Sequence, residues 1–221
     1  MENPSRTRIF VIDDHPLVRE WLSALLREQP DLEICGQADH ARGALAPILA
    51  AKPDVAIVDL FLKGGTGLDL IKDLREHCPQ TDVIVLSMHE EAGWAERALR
   101  AGARGYVTKR ESTSQIVEAI RQVRKGRIYA SAELLAALAG RLVGQPADRA
   151  ADPMEDLSDR ELEVFRRLGQ GVSTKDIATD LGLSLPTVQT YCQRIKEKLR
   201  LASGNELVRE AVRWVQGQQA T

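Results

Sequence analysis

Four short apolar runs, each closed by a polar or charged side chain, limit what this chain can fold into. Ile9-Phe10-Val11-Ile12 runs into Asp13-Asp14, and Val55-Ala56-Ile57-Val58 into Asp59. Val83-Ile84-Val85-Leu86 runs into Ser87, and Gly105-Tyr106-Val107-Thr108 into Lys109. Near-continuous apolar runs of this length belong to strands buried on two faces, as in parallel sheets. In such sheets ligands meet the carboxyl ends of the strands. Three acids, a hydroxyl and an ammonium at successive strand ends would share one pocket, with the chemistry of a divalent metal and a phosphoryl group.

Periodicity fills in the rest of the first part. Strands are expected at Arg8–Ile12, Glu33–Ala38, Val55–Asp59, Asp82–Ser87 and Gly105–Thr108. Helices are expected at Pro16–Glu28, His40–Ala51, Gly67–Glu76, Ala92–Ala101 and Ser112–Lys125. In the first of these helices Leu17, Val18, Trp21, Leu22, Leu25 and Leu26 recur at spacings of three and four, one apolar face. Five βα units predict a doubly wound, five-stranded parallel sheet with right-handed crossovers.

After Gly126 the pattern changes. Residues 131–143 carry a helical pattern, and 144–153 are polar, bounded by prolines and free of large apolar side chains, as in a linker. From Met154 onward everything reads as helix. Ser158 and Glu161 form a capping box, Ser173 caps Thr174–Leu181, and Ser184 caps a helix with Pro186 in its first turn that runs to Leu199. Asn205–Gln216 is a fourth helix. Two short helices joined at Gly182 have the form of a helix-turn-helix. The expected divisions are residues 1–128, a linker with a helix at 129–153, and an all-α four-helix domain at 154–221.

Net charge is -2, so any affinity for nucleic acid must come from a local patch. Arg194, Lys196, Lys198 and Arg200 supply one. Cys35, Cys78 and Cys192 lack metal-ligand spacing and suit reduced thiols. The polar N-terminus and the lack of any bilayer-length apolar run predict a cytoplasmic protein without a membrane partner.

Together these residues resemble the two-component response regulators of the NarL/FixJ family, over nearly the whole chain. The receiver pattern is carried by Asp13-Asp14, Asp59, Ser87, Tyr106 and Lys109, and by Gly67 eight residues after Asp59. The stretch Leu157-Ser158-Asp159-Arg160-Glu161-Leu162-Glu163-Val164 is similar to LuxR-type domains. Gly171, Ile177-Ala178, Leu181, Ser184, Thr187-Val188 and Lys198-Leu199 continue that likeness. The resemblance implies a flavodoxin-like receiver followed by a LuxR-type helix-turn-helix domain. It implies a transcription regulator, not an enzyme, activated when a sensor histidine kinase phosphorylates Asp59.

The same resemblance assigns roles. Asp59 is the expected phosphoacceptor. Mg²⁺ would be bound by Asp14, Asp59 and the Phe61 backbone carbonyl, with Asp13 acting through water. Lys109 and Ser87 would contact the phosphoryl group, with Ser87 and Tyr106 moving as a switch. His15 and His89 lack zinc-like partners and are read as polar rim residues, His89 setting the rate of phosphate loss. Two departures, Lys63 and Arg110 where the family often has proline, touch loop geometry and phosphate lifetime rather than the reaction.

On the third helix of the last domain, Thr187, Gln189, Thr190, Gln193, Arg194, Lys196 and Lys198 are the expected DNA contacts. Cations there would position phosphates, and Gln189 and Gln193 would read adenine in the major groove. A homodimer on paired half-sites of double-stranded DNA is expected once Asp59 is phosphorylated, with Val208, Val212 and Val215 as candidate contacts. Each receiver residue alone has a plainer use. Asp13 would equally cap a helix, and Lys109 would be a solvated charge. Two rival readings remain: a stand-alone phosphotransfer module whose helical tail binds protein, and a small metal-dependent phosphatase.

Overall fold

The computed structural model of the chain describes residues 6–88, 92–111, 113–142 and 153–219. It divides into two units, residues 1–143 and 144–221.

In the first unit five parallel strands form one sheet ordered β2-β1-β3-β4-β5. They are β1 (Thr7–Ile12), β2 (Leu32–Ala38), β3 (Val55–Val58), β4 (Asp82–Ser87) and β5 (Gly105–Thr108). The expected doubly wound topology is thus present, with its reversal between β1 and β3, the point where sheets of this kind place their ligand sites. Register places the polar residues together. Ile12 pairs with Val58 and Ser87 with Thr108. The Asp59 N–H then donates to the Ile12 carbonyl (2.8 Å), and the Lys109 N–H to the Ser87 carbonyl (2.7 Å). Each functional residue at a strand end therefore stands where pairing stops.

The helices are α1 (Pro16–Arg27), α2 (Leu45–Ala51), α3 (Gly67–His77), α4 (Ala92–Ala101), α5 (Thr113–Arg124) and α6 (Ala132–Leu142). The apolar face of α1 forms at Val18, Trp21, Leu22, Leu25 and Leu26, but Leu17, expected on the same face, is 79% exposed. Leu22 and Leu26 are buried in a core with Ile9, Val11, Ile57 and Ile120, while Val18, Trp21 and Leu25 pack at its margin. Each fully buried leucine contributes about 2 kcal/mol.

Two expectations need correction. The second helix begins at Leu45, not His40. His40 instead forms a bridge with Lys63, and the Ala41 N–H donates to the Lys63 carbonyl (3.1 Å), so tertiary pairing takes the segment that periodicity assigned to a helix. The segment expected to be linker from residue 129 joins the first unit. Tyr129 bonds to β5 through the Tyr106 N–H (2.8 Å) and the Arg104 carbonyl (2.9 Å), which covers an open sheet edge. Leu134 of α6 is buried, and α6 packs on α4. Residues 143–152, which hold most of the polar stretch, lie outside the described residues.

The described residues of the second unit hold a 3-10 turn at Pro153–Asp156 and four helices: α7 (Asp159–Gly169), α8 (Thr174–Leu181), α9 (Leu185–Leu199) and α10 (Gly204–Gln219). All three predicted N-caps form. Ser158 makes the full capping box with Glu161, Ser173 accepts from the Asp176 N–H, and Ser184 from the Thr187 N–H. Gly182 takes the left-handed conformation (φ 63°) that turns α8 into α9. Phe165, Leu168, Ile177, Leu181, Val188, Ile195, Leu207 and Ala211 are buried. Phe165 meets Trp214 with ring centroids 5.7 Å apart.

Candidate functional site

The ends of β1, β3 and β5 bring Asp13, Asp59 and Lys109 into contact. Asp13 and Asp59 are only 2% and 3% exposed. The Lys109 ammonium lies 2.6 Å from Asp59 Oδ2 and 2.7 Å from Asp13 Oδ2. The Phe61 N–H donates to Asp59 Oδ1 (3.1 Å), so the carboxylate is held at two points. Arg19 of α1 donates to the Asp13 backbone carbonyl, a support that no local signal announces. Ser87 is fully buried at the end of β4. Tyr106 is buried inside β5. His89 lies outside the described residues.

Burial, reinforced by the Asp13 charge, pushes the Asp59 carboxyl above the usual carboxylate range, while Lys109 opposes the shift. Desolvation works to lower the Lys109 pKa, yet Asp59 and Asp13 together outweigh it and raise it. The ammonium therefore stays charged at neutral pH.

One ligand atom from each of Asp13, Asp14, His15 and Asp59 lies within 4.8 Å of the others. Asp13 Oδ2 and Asp14 Oδ1 are buried and accept no hydrogen bond, although Lys109 stands beside the first at ion-pair distance. Proximity without alignment leaves lone pairs unused, and a divalent cation is what a buried carboxylate set of this kind accommodates. The residues fit a metal. His15, read from sequence as a rim residue, belongs to this cluster.

Gly67 starts α3 directly behind the loop. Its N–H donates to the Leu60 carbonyl (2.8 Å). A Cβ there would lie 2.1 Å from the Asp59 carbonyl oxygen and 2.7 Å from Leu60 Cα. Backbone cannot yield as a side-chain tip does. Gly67→Ala is expected to cost about 1–3 kcal/mol and to slow phosphorylation by acetyl phosphate, read from melting curves and acid-labile phosphate.

In the second unit α9 turns Val188 and Ile195 into the core. Gln189, Thr190, Gln193 and Arg194 are exposed, and Thr187 and Lys196 are half-buried. The Thr187 hydroxyl pairs with Ser184 (2.8 Å), and the Thr190 hydroxyl donates to the Pro186 carbonyl (2.9 Å). The Gln193 amide donates to Glu197 (2.8 Å).

Lys198, expected as a DNA contact, makes an ion pair within its own unit. Its ammonium lies 2.6 Å from Glu161 Oε2 and 2.9 Å from the Asp156 carbonyl. It bolts the end of α9 to the capping box of α7. Burial works to raise the Glu161 pKa, but Lys198 and the Ser158 amide outweigh it and lower it. This contribution to stability is present above the unfolded carboxylate pKa and is lost as pH falls through the folded value. Lys198→Ala is expected to cost about 1.5 kcal/mol at pH 7 and little once pH has fallen below the folded Glu161 pKa, measured by urea unfolding. The salt slope of DNA binding should not change.

Residues 9–121 match the family described as response regulator receiver domain, and residues 155–211 match bacterial regulatory proteins of the luxR family. The chain is 33% identical over 211 residues to the oxygen regulatory protein NreC of Staphylococcus epidermidis, covering 93% of this chain and 97% of that one. RcsB of Salmonella enterica, solved bound to a promoter with a phosphomimetic, shares the fold at 23% identity. That match has a TM-score of 0.67 and covers 94% of this chain and 98% of the other. A LuxR-family two-component response regulator from Aurantimonas matches at 31% identity and a TM-score of 0.59, covering 63% of this chain and 99% of that one. Among the described residues no helix is long and apolar enough to cross a membrane.

Proposed function

Because the chain belongs to the two-component response regulators that join a receiver to a LuxR-type domain, we propose that phosphorylation of Asp59 is the event that switches it. The family makes it a DNA-binding transcription regulator rather than an enzyme, with DNA and a kinase as general partners.

A carboxylate oxygen of Asp59 attacks the phosphorus of a phosphohistidine on a sensor histidine kinase. The new O–P bond forms as the P–N bond breaks, and the electron pair returns to the kinase imidazole. Asp13, Asp14, Asp59 and the Phe61 carbonyl would hold Mg²⁺, which when bound screens phosphoryl charge from the acids. Lys109 supplies a second cation, already set against Asp59, and Ser87 donates a hydrogen bond to the phosphoryl group. Ser87 and Tyr106 then shift together. The observation that carries this reading is the Lys109 ammonium at 2.6 Å from Asp59 beside two carboxylate oxygens with no hydrogen bond.

The exposed amides of Gln189 and Gln193 read base edges, with Thr187 and Thr190 beside them, while Arg194 and Lys196 contact phosphates. Reading by Gln193 requires it to leave Glu197. One copy with so few cations binds weakly, so phosphorylated copies pair on two half-sites. Val208, exposed on α10, is the apolar residue best placed for that pairing. A protein that meets the chromosome in this way works in the cytoplasm. The DNA-binding part is residues 154–221, inside the second unit.

The test is DNA binding by gel shift over a salt series, with and without beryllofluoride. Phosphomimetic protein should bind roughly a hundredfold tighter, with affinity falling steeply in salt. A tail that ignores DNA even when activated at low salt favours the phosphotransfer module instead.

A further inference from the structure

One side chain at the acidic pocket has no part in the reading above: His15. It occupies the N-cap position of α1, where its backbone is extended (φ -92°, ψ 111°) and its side chain makes no capping hydrogen bond. Pro16 follows it and favours that extended conformation. The His15 N–H donates to Asp13 Oδ1 (2.8 Å), which fixes the backbone and leaves the imidazole available.

The imidazole turns to the carboxylates. Nδ1 lies 2.8 Å from Asp14 Oδ1 and 3.3 Å from Asp13 Oδ1. A histidine beside an aspartate is common on a surface, and His40 on Asp39 is such a pair here, with each side chain more than half exposed. His15 differs in what it meets. It touches two carboxylates that are themselves 2% and 11% exposed, and one of the oxygens it approaches, Asp14 Oδ1, accepts no hydrogen bond. Asp13 Oδ2, deeply buried in the same cluster, has the Lys109 ammonium at 2.7 Å but no aligned hydrogen bond.

We propose that His15 is a nitrogen donor to the ion in this pocket, and that it gives the site a preference for borderline divalent cations such as Mn²⁺ and Co²⁺ over Mg²⁺. The inference rests on the reading of the pocket as a metal site and names a ligand that reading does not use. Donors opposite one another on an ion with bonds of about 2.1 Å stand about 4.2 Å apart. The donor atoms here spread over no more than 4.8 Å, so a small turn of one side chain closes the set. His15 can make that turn, because its side chain is 66% exposed. Magnesium keeps oxygen ligands and water, whereas imidazole suits the later divalent ions. Mg²⁺ therefore leaves His15 at the rim, and a borderline ion draws it in. Binding through Nδ1 places the ring proton on Nε2.

Mn²⁺ binding to the full chain is measured by electron spin resonance, and Mg²⁺ by competition against it, for the parent and for His15→Ala and His15→Gln. The preference for Mn²⁺ over Mg²⁺ should fall roughly tenfold in each variant. Spin-echo modulation from a directly bound nitrogen should appear in the parent and vanish in the variants. An unchanged preference with no nitrogen coupling in the parent overturns the role of His15 while the pocket still binds metal. Failure of the parent to bind either ion overturns the metal site itself, and with it this inference.

Discussion

Asp59→Asn is expected to reduce labelling by acetyl phosphate to background and, at the same time, to raise the unfolding midpoint of the receiver at neutral pH. The first effect is chemical, because an amide oxygen is no nucleophile toward phosphorus at this site. The second follows from burial. Removal from water, reinforced by Asp13, holds the Asp59 carboxyl above its ordinary range against the pull of Lys109. A raised folded pKa means that the stability from this group is complete below the unfolded carboxylate value, near 3.9, and is lost as pH rises through the folded value. At pH 7 the ionised carboxylate is therefore a cost to the fold, and asparagine removes it. Lys109 keeps Asp13 at 2.7 Å, so the ammonium is not stranded by the change. A variant that still carries acid-labile phosphate would remove Asp59 from its role. A variant less stable than the parent at pH 7 would mean that the Lys109 pair outweighs burial. Gain of stability on loss of function is the usual mark of a site held under strain.

The pocket was legible because its signals are local. Asp13, Asp59, Ser87 and Lys109 each follow an apolar run directly, and parallel register brings strand ends together without further information. The capping serines were legible for the same reason, since Ser158, Ser173 and Ser184 act three residues along the chain. What escaped depends on distant partners. Lys198 looks like any cation on an exposed helix face, and its partner Glu161 is 37 positions away. The first turn expected for α2 is taken by pairing with Lys63, and Tyr129 reaches back to the edge of β5, which periodicity cannot see. His15 has no zinc-like spacing along the chain, and its neighbours Asp13 and Asp14 meet Asp59 only through the sheet. Gly67 shows the opposite case: a motif position whose physical cause, backbone so close that an added Cβ would lie 2.1 Å from the Asp59 carbonyl oxygen, appears only in three dimensions.

The largest expected loss of stability lies in the second unit, at Glu163. This carboxylate is 3% exposed and joins two arginines of its own helix. It accepts from Arg166 Nε (3.0 Å) and Nη2 (2.9 Å), and from Arg167 Nε (2.6 Å). Arg167 then reaches Asp180 on α8 (2.8 Å), so the acid aims the side chain that ties α7 to the helix-turn-helix. Glu163→Ala takes these bonds from two largely buried guanidinium groups at once. Breaking a buried pair from one side costs about 3–5 kcal/mol, a large share of what a domain of this size has. The expected result is a second unit that is mostly unfolded near 37 °C and does not bind DNA, while acetyl phosphate still labels the receiver. Amide exchange is the direct measurement, with α8 and α9 losing protection and the five strands keeping theirs. Replacing Glu163 and Arg166 together with leucine should restore part of the loss, because desolvation of the charges disappears with them. A single variant that loses less than about 1 kcal/mol would place this network with the surface pairs that contribute little.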